Sequence, residues 1–376
     1  MGPVLNVMGP LSPNNIPATV ERISSYFSGQ TVVNAIFSSY NESVASEFRE
    51  NGIEPVFVGD AMGAGQAKFL LKLLVSRRSY DLIHVFGGIV HTPVPQLLSS
   101  MTGDPVVTRF NGYNNPSDKF FLVSAKLFEN ELLKRSDAMV FNSYYQMFDI
   151  LREHGRTPGQ KHHVIAPGID KSAFAPAFKD EVDSLRESLG IPSDAFVIGT
   201  CQTPRPVKQP RKALDIVSKL NPLEGRDVHL VFVGDSDHLP KYKRYGDDIG
   251  VTENVHWVGR QPNSELSLWY SMFDVTFLTS SAESFGMCIS ESYLCETPCV
   301  AFMVGGMADQ IQHGETGWLV RPDDTDRMTD RIADLLTNDH QRRTFGENGR
   351  EYVLDRFTLS EVADQYRSLT NSLLTP

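Results

Sequence analysis

Residues 275–302 read Val275-Thr-Phe-Leu-Thr279-Ser280-Ser-Ala-Glu283-Ser284-Phe285-Gly286-Met-Cys-Ile-Ser-Glu291-Ser-Tyr-Leu-Cys-Glu-Thr-Pro298-Cys299-Val-Ala-Phe302. Val275–Thr279 is a short run of β-branched and aromatic residues and predicts a strand. A polar turn carries Glu283, Gly286 opens a helix that runs to Cys295, and a second apolar run predicts the strand Cys299–Phe302. A strand, a helix and a strand in such quick succession imply parallel strands, because the helix carries the chain back along one face of the sheet.

Reading outward, the same alternation fills the chain. From residue 1 to about 166, strands are expected at Val4–Met8, Thr31–Phe37, Pro55–Val58, Asp81–Phe86, Pro105–Arg109, Ala138–Phe141 and His162–Ile165. Helices are expected between them at Thr19–Phe27, Glu42–Asn51, Ala67–Ser76, Phe120–Arg135 and Tyr144–His154. The rhythm stops at Ala166-Pro-Gly-Ile-Asp and Phe174-Ala-Pro-Ala-Phe, then restarts at Phe196. Later strands are read at Phe196–Cys201, Val228–Val233, Val255–Val258, Val275–Thr279 and Cys299–Phe302, with helices near 211–220, 264–272, 286–295, 325–336 and 339–354. The reading is an α/β protein of two doubly wound, Rossmann-like domains, 1–170 and 195–355, with a linker at 171–194 and a closing segment, 356–376, whose helix Leu359–Leu374 would brace the two.

Composition narrows the function. Of 376 residues, 41% are hydrophobic and 22% charged, as expected of a chain folded throughout. The net charge of −11 argues against nucleic acid as a partner, which would need a basic face. Residues 1–170 hold 14 Lys and Arg against 15 Asp and Glu, net −1, so the remaining 21 against 31 put −10 on residues 171–376. The four cysteines, Cys201, Cys288, Cys295 and Cys299, lack the spacing of a zinc site or a disulfide framework. With no apolar run long enough to span a bilayer and no basic leader, a cytoplasmic location is expected.

The chemistry concentrates in three places. Glu283 lies at the mouth of a turn after a strand, and Glu291 lies about one and a half turns into the following helix, with the helix's first amides between them. Such amides suit a diphosphate, and a carboxylate accepting two hydrogen bonds suits a sugar diol. A solvated helix face or a cap is the alternative for either acid. Gly199-Thr-Cys-Gln-Thr203-Pro-Arg205-Pro-Val-Lys208-Gln-Pro-Arg211-Lys212 is a Pro-rich turn with four cations, suited to a departing diphosphate or simply basic surface. Val304-Gly305-Gly306-Met-Ala-Asp309 follows a strand, where paired glycines admit a close backbone approach or make an ordinary turn.

The two glutamates, with seven residues between them, resemble the paired-Glu motif of retaining glycosyltransferases of family 4, with the GT-B fold. The likeness extends in order through Asp81-Leu-Ile-His-Val-Phe-Gly, Pro105-Val-Val-Thr-Arg-Phe-Asn-Gly-Tyr, His163-Val-Ile-Ala-Pro-Gly-Ile-Asp, Pro206-Val-Lys, Leu230-Val-Phe-Val-Gly-Asp, Val255-His-Trp-Val-Gly and Gly305-Gly-Met-Ala-Asp-Gln-Ile-Gln-His-Gly-Glu-Thr-Gly. The resemblance implies two domains facing a central cleft, the donor held mainly by 195–355 and the acceptor by 1–170. It implies transfer of a hexose from a UDP- or GDP-linked sugar to a glycan or lipid-linked acceptor, with no metal or other cofactor.

By the same resemblance Glu283, Lys208 and Arg205 carry catalysis, Glu291 grips the ribose, and Thr203, Ser284, Phe285, Gly286, Gly305, Gly306 and Asp309 line the donor site. Asn111, Gly112 and His91 fall on the acceptor side. The family places an arginine where Thr203 stands, a histidine where Asn111 stands, and a glutamate where Asp309 stands. Asparagine cannot act as a general base, so a diphosphate oxygen is the expected proton acceptor. These departures leave two other readings, a non-catalytic sugar-nucleotide-binding subunit and a nucleotide-sugar 2-epimerase. His84, on a strand, reads as a core histidine. Cationic, apolar helices at 68–78 and 119–135 suit an anionic membrane surface on its inner face or the protein's own core. Gly63-Ala-Gly65 lacks the third glycine of a dinucleotide fingerprint.

Overall fold

The computed structural model describes residues 4–8, 23–27, 32–36, 42–57, 80–86, 99–110, 130 and 133–374. The expected helices at 67–76 and 120–135, apart from the last turn of the second, lie outside them, as do Asn111, Gly112, His91 and the Gly63-Ala-Gly65 stretch. The chain forms two compact units: residues 1–168 together with 359–376, and residues 169–358.

In the first unit the strands β1 (Val4–Met8), β2 (Val32–Ile36), β3 (Ile53–Phe57), β4 (Leu82–Phe86), β5 (Val106–Phe110), β6 (Ala138–Phe141) and β7 (His162–Val164) pair in parallel in the order β3-β2-β1-β4-β5-β6-β7. Helices α1 (Glu42–Glu50) and α2 (Tyr144–Glu153) belong here. So does the last helix, α11 (Leu359–Leu374), whose Val362, Ala363, Tyr366 and Leu369 join Val4, Tyr26, Phe48, Leu82, Val107 and Val140 in one core. The core contains a polar knot. Arg109, 1% exposed, donates to the Tyr366 hydroxyl (2.5 Å) and the Asn142 side chain (2.8 Å), beside the stacked rings of Tyr26 and Tyr366. His84 is fully buried against Asn6, 2.7 Å away. Burial and the Arg109 charge push its pKa down to about 3.

The second unit has strands β8 (Phe196–Cys201), β9 (Val228–Val233), β10 (Val255–Trp257), β11 (Val275–Leu278), β12 (Cys299–Phe302) and β13 (Gly317–Val320), all parallel, in the order β10-β9-β8-β11-β12-β13. Its helices are α3 (Lys179–Ser188), α4 (Pro210–Leu220), α5 (Leu239–Asp248), α6 (Leu266–Met272), α7 (Met287–Leu294), α8 (Met307–Gln310), α9 (Thr325–Thr337) and α10 (Asp339–Arg356). Every residue of β9, β11 and β12 is buried, as a sheet covered on both faces demands. The stretch read as a linker carries α3, whose narrow stripe of Val182 and Leu185 is only half-buried against the core and is easily passed over in so charged a segment. From β8 the sheet grows toward β9 on one side and β11 on the other. Strand order thus reverses between β8 and β11, and in open α/β sheets ligands bind beyond the carboxyl ends of the strands at that point. Among the described residues no helix is long and apolar enough to cross a membrane.

Candidate donor site

The loops that leave β8 and β11 are stitched together. After β8 the chain makes a short 3-10 turn at Pro206–Lys208 before Pro210 starts α4, a position where proline's missing N–H costs nothing. After β11, the Thr279 hydroxyl donates to the Lys208 carbonyl (2.8 Å), and the Ser281 amide donates to the Val207 carbonyl (2.8 Å). On its other side the 202–205 stretch abuts the end of β9: a side chain at Gly234 would strike the Gln202 carbonyl, and the Ser236 hydroxyl donates to the Pro204 carbonyl (2.7 Å). These bonds fix where Lys208 and Glu283 stand, and the two form an ion pair with both side chains mostly buried.

The glycines hold Glu283 from the opposite side. Gly305 has φ +58°, a region unfavourable to L residues, and a Cβ there would run into the Glu283 carbonyl oxygen. The same carbonyl accepts the Gly306 amide (3.1 Å). Gly286, at φ +92°, caps α7 and has no side chain of its own to bond the amides of the helix's first turn.

Helix α7 is buried almost all round: Cys288, Ile289, Ser290, Ser292, Tyr293 and Leu294 are covered. Its two serine hydroxyls are satisfied, Ser290 by Gln310 (2.5 Å) and Ser292 by Thr276 (2.8 Å). Only Met287 and Glu291, four apart and therefore on one face, are half-buried. The Glu291 carboxylate accepts a hydrogen bond from the fully buried Tyr270 hydroxyl at 2.7 Å. One group reports on the whole neighbourhood. Burial raises the Cys288 thiol's pKa well above its ordinary value, the Lys208 charge opposes this, and Glu283 and Glu291 reinforce it. Lys208, Glu283 and Glu291 therefore all lie within electrostatic reach of a single thiol.

The remaining expected site residues are placed as follows. Thr203 and Arg205 are exposed on the turn before Lys208. Ser284 is half-buried, while Phe285 is buried with its ring edge-on to Phe357 (5.3 Å). Asp309 is half-buried on α8, and its carbonyl accepts the Tyr352 hydroxyl (3.0 Å). Sequence reasoning missed two residues. Tyr270 sits in a stretch whose apolar spacing announces only core. Gln310 is 1% exposed and donates to the carbonyls of Phe285 (2.5 Å) and Gly286 (2.9 Å), clamping the turn into α7. A polar residue next to Asp309 in an otherwise apolar run was its only signal.

A parallel sheet whose switch point presents a fixed cation, paired acids, a glycine-led helix start and a close-approach glycine is an arrangement that suits a diphosphate. Residues 181–352 match the family described as Glycosyl transferases group 1. It is 26% identical over 306 residues to the N-acetyl-alpha-D-glucosaminyl L-malate synthase of Bacillus anthracis, covering 80% of this chain and 77% of that one. It is 27% identical over 269 residues to the D-inositol 3-phosphate glycosyltransferase of Corynebacterium glutamicum (strain R), covering 70% of this chain and 64%, less than two thirds, of that one. The HepE protein of Anabaena, solved in complex with UDP, matches 99% of this chain and 100% of its own at a TM-score of 0.83 and 19% identity. A glycosyltransferase structure from Rickettsia africae matches at a TM-score of 0.81 and 18% identity, covering 100% of this chain and 99% of that one. The fold is GT-B.

Proposed function

We propose that this protein transfers a hexose, with retention of anomeric configuration, from a nucleotide sugar, UDP-linked in the first instance, to a glycan or lipid-linked acceptor. The observation that carries the reading is the meeting of Lys208 and Glu283, on the two loops of the switch point, beside the glycine-led start of α7. Lys208 and the first amides of α7 receive the diphosphate, whose charge grows as the glycosidic bond breaks. Glu291 receives the ribose hydroxyls, and Glu283 orients the sugar. In the transfer the bond from C1 to the diphosphate oxygen breaks and a bond from C1 to the acceptor oxygen forms. The acceptor's proton goes to the departing diphosphate. Arg205 and Thr203 extend the phosphate side, while Ser284, Phe285, Gly305, Gly306 and Asp309 line the sugar side. The UDP complex of HepE and the match of residues 181–352 to the glycosyl transferase group 1 family support the donor class.

The protein's own cations supply the positive charge in this reading, so turnover is expected to survive EDTA. A strict requirement for added Mg²⁺ or Mn²⁺ would overturn that part. Thermal stabilisation by UDP, GDP and ADP tests the donor: UDP should raise the melting temperature most, and no response to any of the three rejects the reading. Proton NMR of the released glycoside decides retention. Peripheral docking on anionic lipid, through the cationic, apolar sequence stretches 68–78 and 119–135, belongs to the same proposal for a lipid-linked acceptor, and vesicle flotation tests it.

A further inference from the structure

Glu291 is a flexible side chain asked to present one carboxylate geometry, and fixing such a chain costs rotamer freedom. The structure shows what fixes it. Tyr270, on α6, has no exposed surface, and its hydroxyl donates to Glu291 Oε2 at 2.7 Å. The tyrosine itself is immobilised. Its carbonyl accepts the Thr297 hydroxyl (2.8 Å), and its ring packs edge-on against Phe273 (6.1 Å) and Phe174 (6.2 Å). The helix bearing Glu291 is pinned separately, through Ser290 to Gln310 and Ser292 to Thr276. Two independently anchored helices thus meet through one charge-assisted hydrogen bond, at the only half-buried face of α7.

We propose that Tyr270 is a positioning residue for nucleotide binding: its phenol holds the Glu291 carboxylate in the orientation that meets the ribose hydroxyls. This rests on the reading of Glu291 as the ribose anchor. Burial, reinforced by Cys201 and Glu291, raises the phenol's pKa well above its ordinary value, so it remains a hydrogen-bond donor throughout the working range.

Calorimetry on the full chain with two probes, UDP and 2′,3′-dideoxy-UDP, tests it. The wild type should prefer UDP, and Glu291→Gln should largely erase the preference. Tyr270→Phe keeps the ring and removes only the hydroxyl. It should weaken UDP binding roughly tenfold, the scale of one hydrogen bond to a charged group, while leaving dideoxy-UDP affinity unchanged. In the double variant the two losses should fail to add. If Tyr270→Phe keeps the wild-type preference while Glu291→Gln loses it, the positioning role is wrong and the anchor stands. Equal weakening of both probes by Tyr270→Phe marks a merely structural tyrosine and also overturns the inference. If Glu291→Gln keeps the full preference, the anchor reading itself falls.

Discussion

Lys208 and Glu283 neutralise one another in a largely buried corner, so each is the other's main protection against an unpaired charge. Lys208→Ala should therefore do two things. It should lower stability by about 1–3 kcal/mol in urea titration, because the glutamate is left without its cation. It should also depress kcat more than it raises KM, since leaving-group charge peaks at the transition state. A variant with normal kcat would remove Lys208 from catalysis. Gly305 sets a stricter limit. Gly305→Ala must adopt φ +58° and clear the Glu283 carbonyl, so a drop in melting temperature and loss of turnover are expected together. An active, equally stable Gly305→Ala protein would show that the close approach does not matter. Glu283, Glu291 and Lys208 stood out in the sequence because their spacing and surroundings resemble the motifs of a known family. Tyr270 and Gln310 did not, because their role depends on partners 21 and 24 to 25 residues away that only folding brings near.

At the scale of elements, strands were the most legible feature. β1, β6, β8, β9 and β12 lie at the bounds read from their short β-branched runs. β13 escaped because Gly317-Trp-Leu-Val is brief and glycine-led. α5 escaped because, in a ten-residue helix, only Tyr242 and Gly246 are buried, too little to show a period. α11 was legible, and it brings Tyr366 to Arg109 and the His84 knot. His84 is neutral in the folded state down to about pH 3, whereas in the unfolded chain it takes a proton below about 6.5. Its contribution is thus intact above pH 6.5 and declines as the pH falls from there toward 3, by up to about 1.4 kcal/mol per pH unit. His256, whose pKa burial and His229 push down to about 4, acts with the same sign. Urea midpoints measured at pH 7 and pH 5 should fall for the wild type and fall less for His84→Gln. Equal losses would place the acid sensitivity elsewhere.

At the scale of the molecule, a fold shared across 99% of the chain at 19% identity shows how little of a GT-B scaffold depends on particular residues, and why the donor and acceptor must be argued from the site. The acidic excess of the second half does not oppose an anionic donor if binding is local, since surface charges beyond about 10 Å are screened at ordinary salt. Ending the chain at Thr358 would strip Val362, Ala363, Tyr366 and Leu369 from the first unit's core, with about 1.5–3 kcal/mol at stake for each large side chain. Scanning calorimetry of that truncation should lose the first unit's transition and keep the second's. Retention of both would mean that α11 is dispensable.

The chain enters the second unit at Ile169 and leaves it at Thr358, returning to complete the first only with α11. During synthesis the unit begun first is therefore finished last. Its sheet must wait, with Tyr26 and Arg109 lacking Tyr366, while some 190 residues of the other unit emerge and fold, an interval of roughly 10–40 s at 5–20 residues per second. For that time the apolar side chains that will meet Val362, Ala363, Tyr366 and Leu369 have no helix to pack against.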